Sequence, residues 1–282
     1  MKFFYFLLAF LLIANFFCLS FLFYLKSEKF LEVIFFDVGQ GDGILIKTPY
    51  HQKIVIDGGA SFSIIEKISK EIPFFDREID LLILTHPEKD HIVGAIEILK
   101  KYKVKNVVTP KLRKETIYFK VWENLLQQKP ENLYFVKRGN LILMAPLVTF
   151  VLNPKEIPKS QPENLNPYSL VFKTQFEKVS FLFTADIPIS TQKEILKEKI
   201  NLKSDVFKVP HHGSKFSLEK NFFEKVFPKI AVISVGRKNP YSHPHKETIS
   251  FLEKLNCKIL RTDLFGDVKI ITDGKFLALK EF

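Results

Sequence analysis

Two histidines and two carboxylates fall within six positions in His86-Pro87-Glu88-Lys89-Asp90-His91, one residue after the apolar run Leu81-Leu82-Ile83-Leu84. An apolar run without alternation reads as a buried strand. The loop beyond such a strand is where open α/β sheets place their ligands. The residues from His91 to Leu99 read as the start of a helix. Packing has no use for this concentration of imidazole and carboxylate, whereas divalent metals bind both. Three later junctions repeat the chemistry: Asp186 in Thr184-Ala185-Asp186-Ile187, the pair His211-His212 after the strand Val206–Val209, and His243 with His245 in the polar turn 236–245. Burying that many charges without a neutralising ion would cost several kcal/mol per ion. The four junctions are therefore expected to converge on a metal site.

The elements that must position these residues can be read in outline. Residues 31–36 predict a first strand, and the turn Asp37 to Gly43 reverses the chain into a second at 44–47. A third, from Lys53, ends in Asp57-Gly58-Gly59. Asp57 is a candidate to orient a ligand from behind, while Asp37 and Asp42 read as turn or supporting residues. Helical spacing marks 61–71, and residues 111–130 read as helical. Residues 133–137, 141–144 and 148–152 read as an antiparallel meander, followed by the proline-rich loop 153–167. Strands at 168–173 and 179–183 precede alternating helices and strands, and a hairpin over 268–279 closes the chain. Two β-rich halves interleaved with helices predict two packed sheets with helices outside, in one domain.

Length and composition add bounds. The 282 residues can form a sizeable core. No charged residue occurs from Phe3 to Leu25, about 23 residues, enough to span a hydrocarbon core of roughly 30 Å. No small-residue cleavage pattern follows, so residues 1–27 predict an uncleaved membrane anchor and residues 28–282 the domain. Lysines flank both ends, which leaves the positive-inside bias silent. Cys18 lies in the apolar segment and Cys257 stands alone elsewhere, which excludes a disulfide framework and a cysteine-rich zinc module. The net charge of +11 favours anionic partners such as nucleic acid or an anionic membrane surface, and it also serves solubility.

At the level of motifs, His86 to His91 resembles the metallo-β-lactamase-fold signature His-x-His-x-Asp-His with Glu88 in place of the middle histidine. The wider order resembles the extracytoplasmic hydrolase domain of the ComEC competence family. That resemblance rests on Asp37 to Asp42, Ile56 to Gly59, Thr85 to His91, Asn166 to Val171, Thr184 to Ile187, Lys208 to Ser214 and Asn239 to Pro244. It implies an α/β fold of the αββα four-layer sandwich type, preceded here by one transmembrane helix, with the domain extracytoplasmic. It also implies two divalent metal ions, held by His86 and Glu88 on one side and Asp90 and His91 on the other. Asp186 would bridge them, and one of His211 or His212 would join. The family's further histidine is absent, its region holding Asn166 and Ser169. Glu88 adds a hard oxygen and shifts the preference from Zn²⁺ towards Mn²⁺, with Mg²⁺ possible.

The resemblance further implies hydrolysis of a phosphodiester, as a nuclease on DNA, with Asp90, His212 and His243 in catalytic roles. Lys208 and Arg237 are further candidates to hold phosphate. Partners would be nucleic acid or another phosphodiester, the membrane, and a competence or DNA-uptake machinery. Two alternatives stand beside this reading: a hydrolase of small phosphodiesters of the phosphorylcholine type, and a degenerate, non-catalytic anchored binding module.

Overall fold

The apolar runs fold into two sheets, in a computed structural model that describes residues 2–26, 30–128, 130–158, 160 and 162–280. In chain order the elements are α1 (Lys2–Lys26), β1 (Leu31–Phe35), β2 (Ile44–Lys47), β3 (Lys53–Ile56), α2 (Ser63–Glu71), β4 (Glu78–Ile83), α3 (Lys89–Lys101), β5 (Lys103–Thr109), α4 (Ile117–Gln128) and β6 (Asn132–Phe135). The second part comprises β7 (Leu141–Met144), β8 (Leu147–Asn153), β9 (Val171–Phe176), β10 (Val179–Phe183), α5 (Ile189–Lys197), β11 (Val206–Lys208), α6 (Lys220–Val226), β12 (Ile230–Ile233), α7 (Lys246–Lys254) and β13 (Lys258–Arg261). The chain closes with α8 (Thr262–Phe265), β14 (Val268–Thr272) and β15 (Leu277–Lys280).

The first sheet has the order β15-β14-β1-β2-β3-β4-β5-β6 and the second β13-β12-β11-β10-β9-β8-β7. Strand periodicity sorts the side chains between layers. Leu31, Val33 and Phe35 of β1 pack between the sheets against Phe172, Phe181 and Phe183, while Ile34 turns outward with Val55 and Leu82 to meet Ile64, Ile92 and Trp122 of the helices. On the other face, Phe207 and Ala231 pack against Phe222, Phe223 and Leu252. The result is the four-layer αββα sandwich.

One stretch differs from its expected pairing. Residues 133–137 do not begin a meander: β6 pairs parallel with β5 at the edge of the first sheet, and β7 pairs with β8 in the second. The intervening turn is tied to the second sheet through Arg138 N to Pro154 O (2.7 Å) and Gly139 N to Val151 O (3.0 Å), so the chain changes sheets there.

Helix α1 is long and apolar enough to cross a membrane. The expected boundary between anchor and domain, at 27/28, lies outside the described residues.

Two glycines seat α3 on the end of β3. A Cβ on Gly94 would lie 1.9 Å from Gly58 O, and one on Gly58 would lie 2.1 Å from Ala95 N. This approach lets Gly58 N reach His91 O (2.9 Å) and Gly94 N reach Gly59 O (3.1 Å). The first turn of α3, which carries Asp90 and His91, is thereby fixed against the strand ends. Gly94→Ala should lower stability by about 1–3 kcal/mol through overpacking, read as a lower urea midpoint at unchanged slope.

Candidate metal centre

The ends of β3, β4, β10 and β11 lie at one end of the sandwich, and each delivers part of one cluster. Past β4, His86 is fully buried, and His91 is fully buried on the first turn of α3. Past β10 comes Asp186, and past β11 comes His212, both nearly inaccessible. Ligand atoms of Asp90, His91, Asp186 and His212 all lie within 4.8 Å of one another. Asp186 Oδ2 is 3.4 Å from His91 Nε2, 3.3 Å from His212 Nε2 and 3.8 Å from His211 Nε2. Asp90 Oδ2 is 3.4 Å from His212 Nε2.

Each central imidazole is held by its other nitrogen. His91 Nδ1 meets Asp57 Oδ2 at 2.8 Å, and His212 Nδ1 donates to Ser234 O at 2.8 Å. His86 Nδ1 meets Thr85 Oγ1 at 3.0 Å, and that hydroxyl donates to Asp57 Oδ2 at 2.7 Å. Asp57 also accepts Thr85 N (2.8 Å), so one buried carboxylate serves both the motif backbone and its imidazoles. The Nε2 atoms of His86, His91 and His212 and Oδ1 of Asp186 are buried without a hydrogen-bond partner. A buried polar atom left so costs about 1–3 kcal/mol, and those of His91 and His212 both lie beside the Asp186 carboxylate. The donor set is nitrogen and carboxylate with the second nitrogens fixed, which suits divalent metals.

The backbone is bent to present this set. Asp57 (φ 56°), Ala185 (φ 44°), His211 (φ 50°) and His212 (φ 54°) are all left-handed without being glycine. Such residues cost of order 1–3 kcal/mol each and persist where the surroundings hold them. Here His211 N donates to Ala185 O (3.0 Å) and Ser214 N to His211 O (2.9 Å), which clamps the β11 loop to the β10 loop.

Charge follows from this geometry. Burial alone would depress His91, but Asp186, Asp57 and Asp90 override it and hold its pKa well above the usual range. His212 behaves alike: burial opposes its charge, yet Asp186 and Asp90 push it up to about 10. Asp90 and Asp186 pay for burial and are still held well below the usual carboxylate range by His91 and His212. Burial, reinforced by the neighbouring His91, pushes His86 far down. The metal-free cluster thus keeps its carboxylates ionised and lets imidazolium take the place of a cation.

Other expected site residues have different settings. Glu88 is not brought into the cluster; its carboxylate pairs with the Lys114 ammonium. Lys208 is 1% exposed, which removes it as a phosphate contact. Its ammonium lies 2.5 Å from Asp42 Oδ2, 3.7 Å from Asp186 Oδ1 and 3.1 Å from Ala185 O. Arg237 is exposed and donates from Nε to Asp263 O (3.2 Å). His211 is a third exposed, its Nδ1 3.4 Å from Ser217 Oγ. Asn166 lies in a short 3₁₀ turn, and Ser169 is buried beside the motif, where Leu170 N donates to Thr85 O (2.9 Å).

His243 is half-buried, its ring centroid 5.5 Å from that of His211 and 6.3 Å from that of His212. Burial first, then the neighbouring imidazoles, lower its pKa to about 4. Asn239 shapes its loop, with Oδ1 accepting His243 N (2.9 Å) and Nδ2 donating to His243 O (2.7 Å).

Sequence reasoning passed over three contributors. Thr85 and the carbonyl of Ser234 orient imidazoles, and neither residue type advertises the role. Phe216 extends a row of rings: Tyr241 stacks on His243 at 5.7 Å, His243 lies 5.1 Å from His245, and His245 lies 6.1 Å from Phe216. Lys215 Nζ sits 5.6 Å from the Phe216 centroid. The aromatic spacing around 241–245 was the available signal, but Phe216 comes from a different loop.

Comparison with known proteins gives a consistent picture. The profile of the metallo-beta-lactamase superfamily matches residues 36–237. The chain is 34% identical over 267 residues to ComE operon protein 3 of Bacillus subtilis, covering 87% of this chain and 33% of that protein. It is 29% identical over 248 residues to Recombination protein 2 of Haemophilus influenzae, covering 86% and 29% respectively. The chain thus spans about a third of the length of these curated relatives. Among solved structures it is similar in fold to Igni18, a metallo hydrolase from Ignicoccus hospitalis, with a TM-score of 0.55 at 14% identity, over 90% of this chain and 99% of that one.

Proposed function

The chain belongs to the metallo-β-lactamase superfamily, and from that premise we propose that it is a membrane-anchored, metal-dependent phosphodiesterase that cuts nucleic acid. The observation that carries the reading is the pair of buried, unpartnered Nε2 atoms of His91 and His212 beside Asp90 and Asp186, with the buried His86 ring against that of His91. His86, His91 and His212 with the two carboxylates would hold the divalent ions, with His211 alongside Asp186. Bound ions would supply Lewis-acid polarisation of the phosphoryl oxygens and acidify water. Mixed nitrogen and carboxylate donors suit Mn²⁺ or Zn²⁺.

The protein's own residues do the rest. Asp57, Thr85 and Ser234 hold the Nδ1 side of the three rings, which leaves each Nε2 for a metal that displaces its proton where it has one. Asp90, the most open of the central carboxylates at 28% side-chain exposure, is where solvent and substrate reach the cluster. His243 is neutral at neutral pH, and its half-buried ring lies beside His211 and His212, where a phosphodiester on the cluster would meet it. An anionic substrate favours the protonated ring, which can then give a proton to the leaving oxygen. The row His243, Tyr241, His245 and Phe216 continues outwards with Lys215, the combination of stacking rings and cations that single-stranded nucleic acid uses.

The names of the curated relatives support a place in DNA handling, and α1 supports attachment to a membrane; the extracytoplasmic side is what the family resemblance implies. The test is turnover by the full chain in detergent with Mn²⁺ or Zn²⁺, on single-stranded DNA, duplex DNA, RNA and a bis-aryl phosphodiester. Metal-dependent cleavage with single-stranded DNA preferred is expected. Protein with metal bound but no turnover of any substrate would sink the reading. Tyr241→Ala and Phe216→Ala should each raise KM for single-stranded DNA about fivefold or more, since one stacked base contributes about 1–3 kcal/mol. The loss on the small diester should be much smaller.

A further inference from the structure

We infer that the end of the sandwich opposite the metal centre rests on the lipid surface that α1 enters, through a set of exposed aromatic loops. This rests on the reading of α1 as a membrane anchor. The tether comes first: Lys26 ends α1 and Leu31 opens β1, five residues that reach at most about 18 Å when extended. The end of the first sheet where β1 starts is therefore held close to the bilayer.

That end carries bare rings. Phe30 is 48% exposed, Tyr50 in the β2–β3 turn 64%, Phe74 and Phe75 in the loop before β4 85% and 73%, and Phe276 in the β14–β15 turn 75%. Single exposed apolar residues need no explanation, but several gathered at one end of a domain mark an interaction surface. The loops are braced to one another. Lys53 Nζ lies 2.5 Å from Asp76 Oδ2, and Lys47 Nζ donates to Glu71 O at 3.2 Å. Lys178 N donates to Gly274 O at 2.9 Å, joining the β9–β10 turn to the β14–β15 turn.

The occupant is a lipid surface rather than another protein, because the covalent tether keeps bilayer within reach of these rings at all times. Aromatic side chains favour the membrane–water interface. Charge balances in the two turns beside Phe276, where exposed Lys178 and Lys275 are matched by exposed Glu177 and Asp273. Docking is therefore expected in zwitterionic lipid as well as anionic. Strands of this length place the metal centre about 20 Å farther out, with its mouth facing away from the membrane.

The test uses the full chain in discs of phosphatidylcholine, ordinary or brominated, carrying Phe74→Trp or, at the metal-centre end, Phe265→Trp. Buried Trp122 gives both variants the same background. Insertion to the interfacial depth of about 5–10 Å should let bromolipid remove roughly half or more of the emission added by Phe74→Trp. The emission added by Phe265→Trp should be unchanged. If Phe74→Trp lowers the melting temperature, Phe276→Trp is the second reporter. Equal responses at the two ends overturn the docking. Release of the protein from bilayers by an alkaline wash overturns the anchor reading, and this inference with it; retention without quenching overturns the docking alone.

Discussion

Asp186→Asn is expected to abolish metal-dependent turnover, by a factor of about 10³ or more, as for the loss of a group on which a whole catalytic unit depends. The substitution keeps volume and one acceptor oxygen but removes the charge that lies within 3.8 Å of three imidazole Nε2 atoms. Without it, His91 and His212 lose the counter-charge that each shares with Asp90, and partly exposed Asp90 is the carboxylate left at their Nε2 atoms. Metal content, measured by mass spectrometry on purified protein, should fall together with the rate. The chain should stay folded, because the buried histidines can release their protons once the carboxylate is gone. A folded variant that retains both its metal and its rate would remove Asp186 from the site.

Lys208→Met is expected to cost about 3–5 kcal/mol of stability, the usual penalty for leaving one partner of a buried ion pair alone. The ammonium lies 2.5 Å from Asp42 and 3.7 Å from Asp186, and is itself 1% exposed. Burial works against its charge, but Asp42 and Asp186 outweigh this and raise its pKa. Without it, Asp42 loses its close cation, and Asp57 and Asp186 are left to the imidazoles of His91 and His212. The expected readout in metal-free protein is a large drop in the urea midpoint. Saturating divalent ion should recover part of the loss, since a ligand that binds only the native state stabilises it by mass action. A midpoint within experimental scatter of the parent protein would show that the lysine is not the counter-charge its position suggests.

Much of this was legible before any coordinates. His86, Asp90, His91, Asp186, His211 and His212 could be singled out because each follows an apolar strand, and parallel strands β3, β4, β10, β11 and β12 all discharge their loops at one end. The four-layer architecture followed from two sets of strands interleaved with helices. What could not be read depends on distances between loops. Lys208 looks like any strand lysine, and only the three-dimensional approach of Asp42 turns it into a buried counter-charge. Glu88 occupies a ligand position in the motif, but Lys114, 26 residues later, competes for its carboxylate. The register of 133–137 failed for a related reason. A short apolar run reads equally well as the start of a meander or as a last parallel strand, and a turn at Arg138 and Gly139 decided between them.

That turn has a consequence for the timing of activity. The residues before it supply Asp57, His86, Asp90 and His91, and those after it supply Asp186, His212 and His243, so neither half holds a complete set of donors. The first sheet is not finished until β14 pairs with β1, near the end of the chain. A ribosome must therefore release the chain through residue 272 before β1 gains this partner. Whatever reaction the centre performs is deferred until β14 has emerged, and a chain cut before it leaves the edge of β1 without its partner.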